Sequence, residues 1–75
     1  MKKEAIQHLI KRFKELGIES KIFKRTIRFF YLGVIDEGLD HIIELNAKAH
    51  GLKWYAQGYD FVVGVRSVCF DLPNS

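Results

Sequence analysis

The sequence contains one cysteine and one proline, and it has no long apolar run. Because Cys69 stands alone, no internal disulfide can form, and packing, a metal or self-association must supply any additional stability. No apolar stretch approaches the about 20 residues that a membrane-spanning helix requires. The N-terminal stretch MKKEAIQHLIKRFKEL lacks the apolar segment of a signal peptide. We therefore expect a soluble, cytoplasmic protein that has no membrane partner.

The residue patterns of familiar chemistries are also missing. There is no P-loop and no dinucleotide fingerprint, so no nucleotide cofactor is expected. One cysteine and three scattered histidines do not have the spacing of a zinc site. Cys69 has apolar neighbours in a predicted strand, where a small buried thiol is commoner than a nucleophile. We expect no catalytic residue, no metal site and no small-molecule cofactor, and hence a non-enzymatic protein.

What the sequence does contain is enough apolar material for one core. Hydrophobic residues make up 48% of its 75 residues and aromatic residues 13%, which is typical of a folded chain rather than a disordered one. A chain of this length forms one domain near the lower size limit for independent folding. We predict a single domain over residues 1–72, followed by a short polar tail at 73–75.

Two amphipathic helices are predicted, each ending at a glycine. The first has an apolar stripe at three- and four-residue spacing and ends at Gly17, with Ile18 packing back. The second begins after Asp36, a favourable N-cap, and ends at Gly51 and Leu52. The two stop glycines therefore divide the chain into two similar halves, each with a helix followed by extended segments.

The extended segments predict four strands. After Gly17, SKIF and TIRFFYLGV read as two strands joined through Lys24-Arg25, or as one long or bulged strand, because that pair is unusual in a tight turn. After Gly51, LKWYA and YDFVVGVRSVCFDL are predicted to join through Gln57-Gly58. The fold class is α+β: two helices on one face of a small, mainly antiparallel four-stranded sheet. Its order is α-β-β-α-β-β, as in a circularly permuted ferredoxin-like fold.

The second face of this sheet raises the question of function. Residues 28–35, RFFYLGVI, include apolar side chains at both odd and even positions, which point to opposite faces of a sheet. Two helices can cover only one of these faces. An exposed apolar patch usually marks an interface. A β-bulge near Gly64 would instead return Val68 and Phe70 to the core. Without that bulge, the expected patch consists of Phe30, Leu32, Val62, Val68 and Phe70, with Arg28 and Tyr31 completing the partner-binding set.

Charge is distributed unevenly along the chain. Residues 1–28 have nine lysines and arginines against three acids, a net +6, whereas residues 29–75 have three against six, a net −3. This asymmetry favours an acidic partner surface, although a basic helix face can serve solubility alone. The residues expected to contact an acidic surface or nucleic acid are Lys11, Arg12, Lys14, Lys21, Phe23, Lys24, Arg25 and Arg28.

Two functions remain open at this point. The first is a protein-interaction module, such as an adaptor, regulator or inhibitor, which docks through an apolar sheet face and self-associates as a homodimer or larger homo-oligomer. The alternative is a protein that binds single-stranded nucleic acid, or DNA or RNA more generally, through the basic and aromatic strand 21–31. The RRM and KH signatures and a helix-turn-helix pattern are all missing.

Overall fold

The structure is a computed structural model that describes residues 2–72, so the predicted tail at 73–75 lies outside the described residues. Its elements follow the predicted order α-β-β-α-β-β, and the small α+β fold is confirmed. The helices are α1 (Lys2–Glu15) and α2 (Glu37–Ala49), and the strands are β1 (Glu19–Phe23), β2 (Thr26–Leu32), β3 (Lys53–Asp60) and β4 (Val65–Asp71).

The four strands form one sheet in the order β1-β2-β4-β3, and all neighbours are antiparallel. Strands β2 and β3 are consequently parallel, with β4 between them and α2 as the crossover. This arrangement is the split β-α-β unit of a ferredoxin-like sheet in which the first strand has moved to the C-terminus of the chain. The permuted ferredoxin-like topology therefore follows from the observed pairing.

Both predicted helix endings are present. Gly17 and Gly51 have φ values of 83° and 78°, in the left-handed region that favours glycine. At the first ending, the Ile18 N–H donates to the Phe13 carbonyl at 2.9 Å, and the Leu52 N–H makes the equivalent bond at the second. These are Schellman motifs, and Ile18 and Leu52 are both buried. The two helices thus end in the same way, for the same local reason.

The predicted N-cap of α2 is also confirmed. Asp36 has an extended backbone, and its Oδ1 accepts hydrogen bonds from the Gly38 and Leu39 N–H groups at 2.9 and 3.1 Å. These bonds satisfy two of the four N–H groups that a helix leaves without partners at its N-terminus.

The two hairpins differ in how well the sequence predicts them. Residues 20–33 do form a hairpin, which turns at Lys24-Arg25, with Lys24 at a φ of 56°. The predicted turn at Gln57-Gly58 is wrong, because β3 continues to Asp60 and the chain turns at 61–64 instead. A β-bulge at Tyr55 interrupts β3 between Trp54 and Ala56.

The core lies between the helices and one face of the sheet. α1 lies nearest β1 and α2 nearest β3. Phe29 occupies the centre, edge-on to Phe13 of α1 at 4.9 Å and to Phe70 at 5.9 Å between ring centroids. The buried hydrophobic residues are Ile6, Leu9, Phe13, Ile18, Ile27, Phe29, Tyr31, Ile43, Ala47, Leu52, Val68 and Phe70.

Candidate functional site

One end of the sheet has a cluster of exposed apolar side chains, which we call the apolar end. It comprises Leu32, Val34, Phe61, Val62 and Val63, whose exposed fractions range from 62% to 93%. The first two residues lie at the end of β2 and just beyond it, and the other three form the turn between β3 and β4. Two segments that are 27 residues apart in the chain therefore meet at a single surface.

Backbone hydrogen bonds hold this apolar end in place. The Gly33 N–H donates to the Gly64 carbonyl at 2.8 Å and so joins the two segments. The Asp60 carboxylate accepts from the Val62 N–H at 2.9 Å, and the Asp60 carbonyl accepts from the Gly64 N–H at 2.8 Å. Because these bonds order the turn, its valines are held outward by a defined backbone and not by a disordered loop.

Acidic residues flank both segments of the apolar end. Asp60 immediately precedes Phe61, and Asp36 and Glu37 follow Val34 closely in the chain. All three acids are exposed. The Phe61 ring also packs edge-on against Tyr59, with 5.0 Å between the ring centroids. The surface is therefore an apolar patch with an acidic border.

Two of the six predicted partner-binding residues, Leu32 and Val62, belong to the apolar end. Arg28 and Phe30 lie on the sheet face that the helices leave uncovered, which we call the open face; there Arg28 is exposed and Phe30 half-buried. The other two, Tyr31 and Phe70, are buried, with 4% and 2% of their surface exposed. For Phe70 this is the core position of the alternative prediction, and for Tyr31 it contradicts the expected partner contact.

Val68 was expected in the exposed patch as well, and it too is buried. Val68 and Phe70 pair with Phe29 and Ile27 of β2, whose side chains face the helices, so they belong to the core. Val62 is separate from them, because it lies in the turn at residues 61–64 and not in β4. Tyr31 is buried because it alternates with Phe30 and shares the covered face with Phe29.

Two cations occupy the open face side by side. Lys21 of β1 pairs directly with Arg28 of β2, and both side chains are exposed. Arg28 in turn pairs with Cys69 of β4. These residues line a shallow groove of about 250 Å³ together with Phe23, Thr26 and Tyr55. The groove therefore combines two cations with two aromatic rings. The same face also carries two exposed acids, Glu19 opposite Phe30 and Asp71 opposite Thr26. The predicted apolar residues Phe30 and Leu32 lie on this face as well, so it is mixed and not uniformly apolar.

Cys69 differs from its predicted state. It is half-buried on the open face and not enclosed in the core. Its apolar chain neighbours Val68 and Phe70 point to the other face, and its cross-strand neighbour is Arg28. The cation beside the thiol comes from a residue 41 positions away, so no local pattern could indicate it.

The predicted set of basic residues does not form one surface. Lys21, Phe23 and Arg28 share the open face, while Lys24 and Arg25 form the adjacent turn. The Lys24 ammonium lies 5.4 Å from the centroid of the Phe23 ring, within range of a cation–π interaction. The remaining three predicted residues, Lys11, Arg12 and Lys14, are on α1, which covers the opposite face of the sheet.

A polar cluster beneath α2 is not among the predicted sites, although one of its members, Tyr31, is a predicted partner-binding residue. Arg66 is only 7% exposed. Its Nη2 donates to Asp40 Oδ2 at 2.9 Å, and its Nη1 donates to the Gly58 carbonyl at 3.3 Å. Tyr31 donates its hydroxyl proton to Asp40 Oδ1 at 2.6 Å and accepts from the Asp36 N–H at 2.9 Å. The cluster fastens the start of α2 to three strands.

Burial raises the pKa of the Tyr31 hydroxyl, and the hydrogen bond to the Asp40 carboxylate raises it further. One signal in the sequence indicates this cluster. Arg66 has the same strand parity as Val68 and Phe70, so it must face the same side as they do. A buried arginine requires an acidic partner.

Two features are absent from the described residues. Between residues 2 and 72, no helix has the length and apolar character needed to cross a membrane. The same residues contain no group of three or more histidine, cysteine, aspartate or glutamate side chains arranged to hold a metal ion.

Comparison with known proteins gives no significant match to a protein-family model, a curated protein or a solved structure. A ferredoxin-like topology supports unrelated functions and indicates none by itself. The chemistry of the candidate sites is therefore the basis for inferring a function.

Proposed function

We propose that the protein is a non-enzymatic interaction module, such as a small adaptor, regulator or inhibitor, that docks on a protein surface through its apolar end. The observation that carries this proposal is the convergence of five exposed, large apolar side chains on an ordered turn and strand end. Each such side chain forgoes about 1.5–3 kcal/mol of burial while it stays in water. The proposal includes a cytoplasmic location, which suits the free thiol of Cys69.

The acidic border defines the chemistry of the partner. Asp36, Glu37 and Asp60 favour an apolar groove that is rimmed by lysine or arginine side chains. They oppose contact with an anionic lipid surface, which would repel them. A protein surface is therefore the better complement to the apolar end.

A second copy of the chain provides a surface of this kind. The turn between β1 and β2 lies at the opposite end of the sheet, because β2 runs from Thr26 beside that turn to Leu32 at the apolar end. There, Phe23 and Ile22 are exposed next to Lys24 and Arg25. The apolar end of one copy, with its acidic border, would pair head-to-tail with the basic β1–β2 turn of the next copy. Such contacts build rings or open assemblies instead of two-fold dimers.

Light scattering at increasing protein concentration tests self-association. The wild-type protein should exceed its monomer mass of 8.7 kDa, and the excess should fall as added salt screens the charged ends. Val62→Glu should restore the monomer, because it places a charge in the middle of the apolar end. The matched control is Leu45→Glu, on the exposed surface of α2, which should behave as the wild type does.

Docking on a different protein needs a second experiment. A photo-crosslinking side chain is placed at position 62, and the same side chain at position 45 provides the control, in the cells that naturally produce the protein. A crosslinked product of defined mass that forms at 62 only, and is lost when Val34→Glu is added, supports the proposal. A monomeric wild type combined with identical crosslinking at both positions would overturn it.

A further inference from the structure

We infer that the open face is a second site, separate from the apolar end, and that it binds single-stranded nucleic acid. The inference rests on the placement of two cations and two aromatic side chains that converge on the groove beside Cys69. The site includes no residue of the apolar end, which consists of the last residue of β2, Val34 and the turn between β3 and β4. It shares one residue, Phe23, with the β1–β2 turn on which a second copy would dock.

Two cations face each other on the open face. Lys21 and Arg28 stand directly opposite each other on neighbouring antiparallel strands, where like charges destabilise a sheet. Among the side chains that the structure describes, neither has a carboxylate within ion-pair distance, whereas the buried Arg66 has one. A phosphate group between Lys21 and Arg28 would relieve their repulsion and form charge-assisted hydrogen bonds with both.

Two exposed aromatic rings lie on the same face. Phe23 on β1 and Tyr55 on β3 are 65% and 60% exposed, and both line the groove. They lie on the two edge strands, which are three strand spacings or about 14 Å apart. The exposed faces of such rings are platforms on which bases stack, and the cations between them would track the backbone.

The bulge at Tyr55 explains how β3 contributes to this face. It inserts one residue between Trp54, which pairs with Phe70, and Ala56, which pairs with Cys69. Bulges commonly redirect a side chain next to a binding site. The redirected Tyr55 ring lies on the same side as Arg28 and Cys69, where the groove forms.

The shape of the open face favours an unpaired strand over a duplex. Among the described elements, both helices cover the other face, so none projects from the open face to enter a major groove. A four-stranded sheet that presents aromatic rings instead contacts splayed bases, usually two or three at a time. Stacking on aromatic faces tolerates any base, so we expect little sequence preference.

The decisive experiment measures fluorescence anisotropy of labelled oligo(dT) and oligo(rU) at two salt concentrations, with a DNA duplex as comparison. The wild type should bind both single strands more tightly than the duplex. With two phosphate contacts, the logarithm of the association constant should fall with the logarithm of the salt concentration at a slope of about −1.4. Arg28→Ala should weaken binding on the order of tenfold and reduce that slope by about 0.7.

Matched variants distinguish binding at the open face from a general effect of the protein's positive charge. Arg12→Ala removes the same charge from α1, on the covered side, and should change affinity by less than about twofold. Tyr55→Ala should weaken binding about tenfold, since it removes a stacking platform. Val62→Glu should bind as the wild type does, so failure of the proposed protein docking and failure of this site are distinguishable.

Cys69 supplies an independent readout, since it is the only cysteine of the chain and lies in the groove. Bound oligonucleotide should slow its alkylation by iodoacetamide, and this protection should be lost in Arg28→Ala. Equal weakening by Arg12→Ala and Arg28→Ala would overturn the inference. So would tighter binding to the duplex, or alkylation that the oligonucleotide does not slow.

Discussion

Two arginines on adjacent strands show how differently the two faces of the sheet treat charge. Arg66 of β4 lies on the covered face, where Asp40 and the Gly58 carbonyl accept its hydrogen bonds. Arg28 of β2 lies on the open face, beside another cation. Burial requires a fixed partner for a guanidinium group, because desolvation is costly. On the open face water solvates the guanidinium group of Arg28, which is exposed, so it needs no fixed partner within the protein.

The aromatic residues differ in the same way. Phe70 contacts Phe29 in the core, whereas Phe23 projects from the edge of the open face. The covered face therefore holds the packed core, whereas the open face leaves charged and aromatic side chains in contact with water. Substitutions on each face test this division.

Phe70→Ala should cost about 3–5 kcal/mol in the free energy of unfolding, because it removes a buried ring and leaves a cavity. This is a large part of the total stability expected for a chain of this size. The matched substitution Phe23→Ala should cost less than about 1 kcal/mol, since its ring is mainly in water. Urea denaturation measures both. Equal losses would mean that the two faces do not differ as described.

Arg66→Met should lower the free energy of unfolding by about 2–3 kcal/mol, since it leaves the Asp40 carboxylate without its cation. The loss should fall below that of a fully buried pair, because the Asp40 side chain is 21% exposed. Asp40→Asn in the Arg66→Met background should recover part of the stability. Arg28→Met on the open face provides the control and should change the free energy of unfolding by no more than about 0.5 kcal/mol. Additive effects of the Arg66 and Asp40 substitutions would contradict the pairing.

The pH dependence of stability should report on Tyr31. Its pKa is raised in the folded protein, so above about pH 10 the unfolded chain releases the proton first. The contribution of this proton to stability is complete below pH 10 and is lost as the pH rises through the folded pKa. Urea midpoints between pH 8 and 11 should therefore fall less steeply in Tyr31→Phe than in the wild type. The same slope in both proteins would show that Tyr31 titrates normally.

The smallest effect concerns Ser20 of β1. Its hydroxyl oxygen is buried and has no hydrogen-bond partner among the described residues. Leaving such a group unsatisfied costs about 1–3 kcal/mol, so Ser20→Ala should stabilise the fold by about 1 kcal/mol. The thermal midpoint should rise by a few degrees. A lower midpoint would show that the hydroxyl has a partner in solution.

Local signals predicted much of this fold. The ends of both helices, the Asp36 cap and the order of the elements follow from residues that act on their nearest neighbours along the chain. The second hairpin was misplaced because Gly58 is a common turn residue, yet in the structure it pairs with Ser67 inside β3. The real turn has three apolar residues before its glycine, which no turn preference indicates.

The candidate surfaces were predicted less well, and the reason is register. The turn lies at residues 61–64, so Val62 is not part of β4 and meets Leu32 at the apolar end. Val68 and Phe70 pair with Phe29 and Ile27 and are buried beneath the helices. Strand parity can be read from the sequence only where a strand is continuous, and one misplaced turn changes the face assigned to the residues beyond it.

The sequence by itself determined the helices, their caps and the α-β-β-α-β-β order, since capping and amphipathic spacing depend on contacts within a few residues. Only the tertiary structure decided which side chains share a surface. Arg28 meets Cys69, and Gly33 meets Gly64, through pairing between distant strands. That pairing depends on how the whole sheet packs beneath its helices, which no short stretch of sequence specifies.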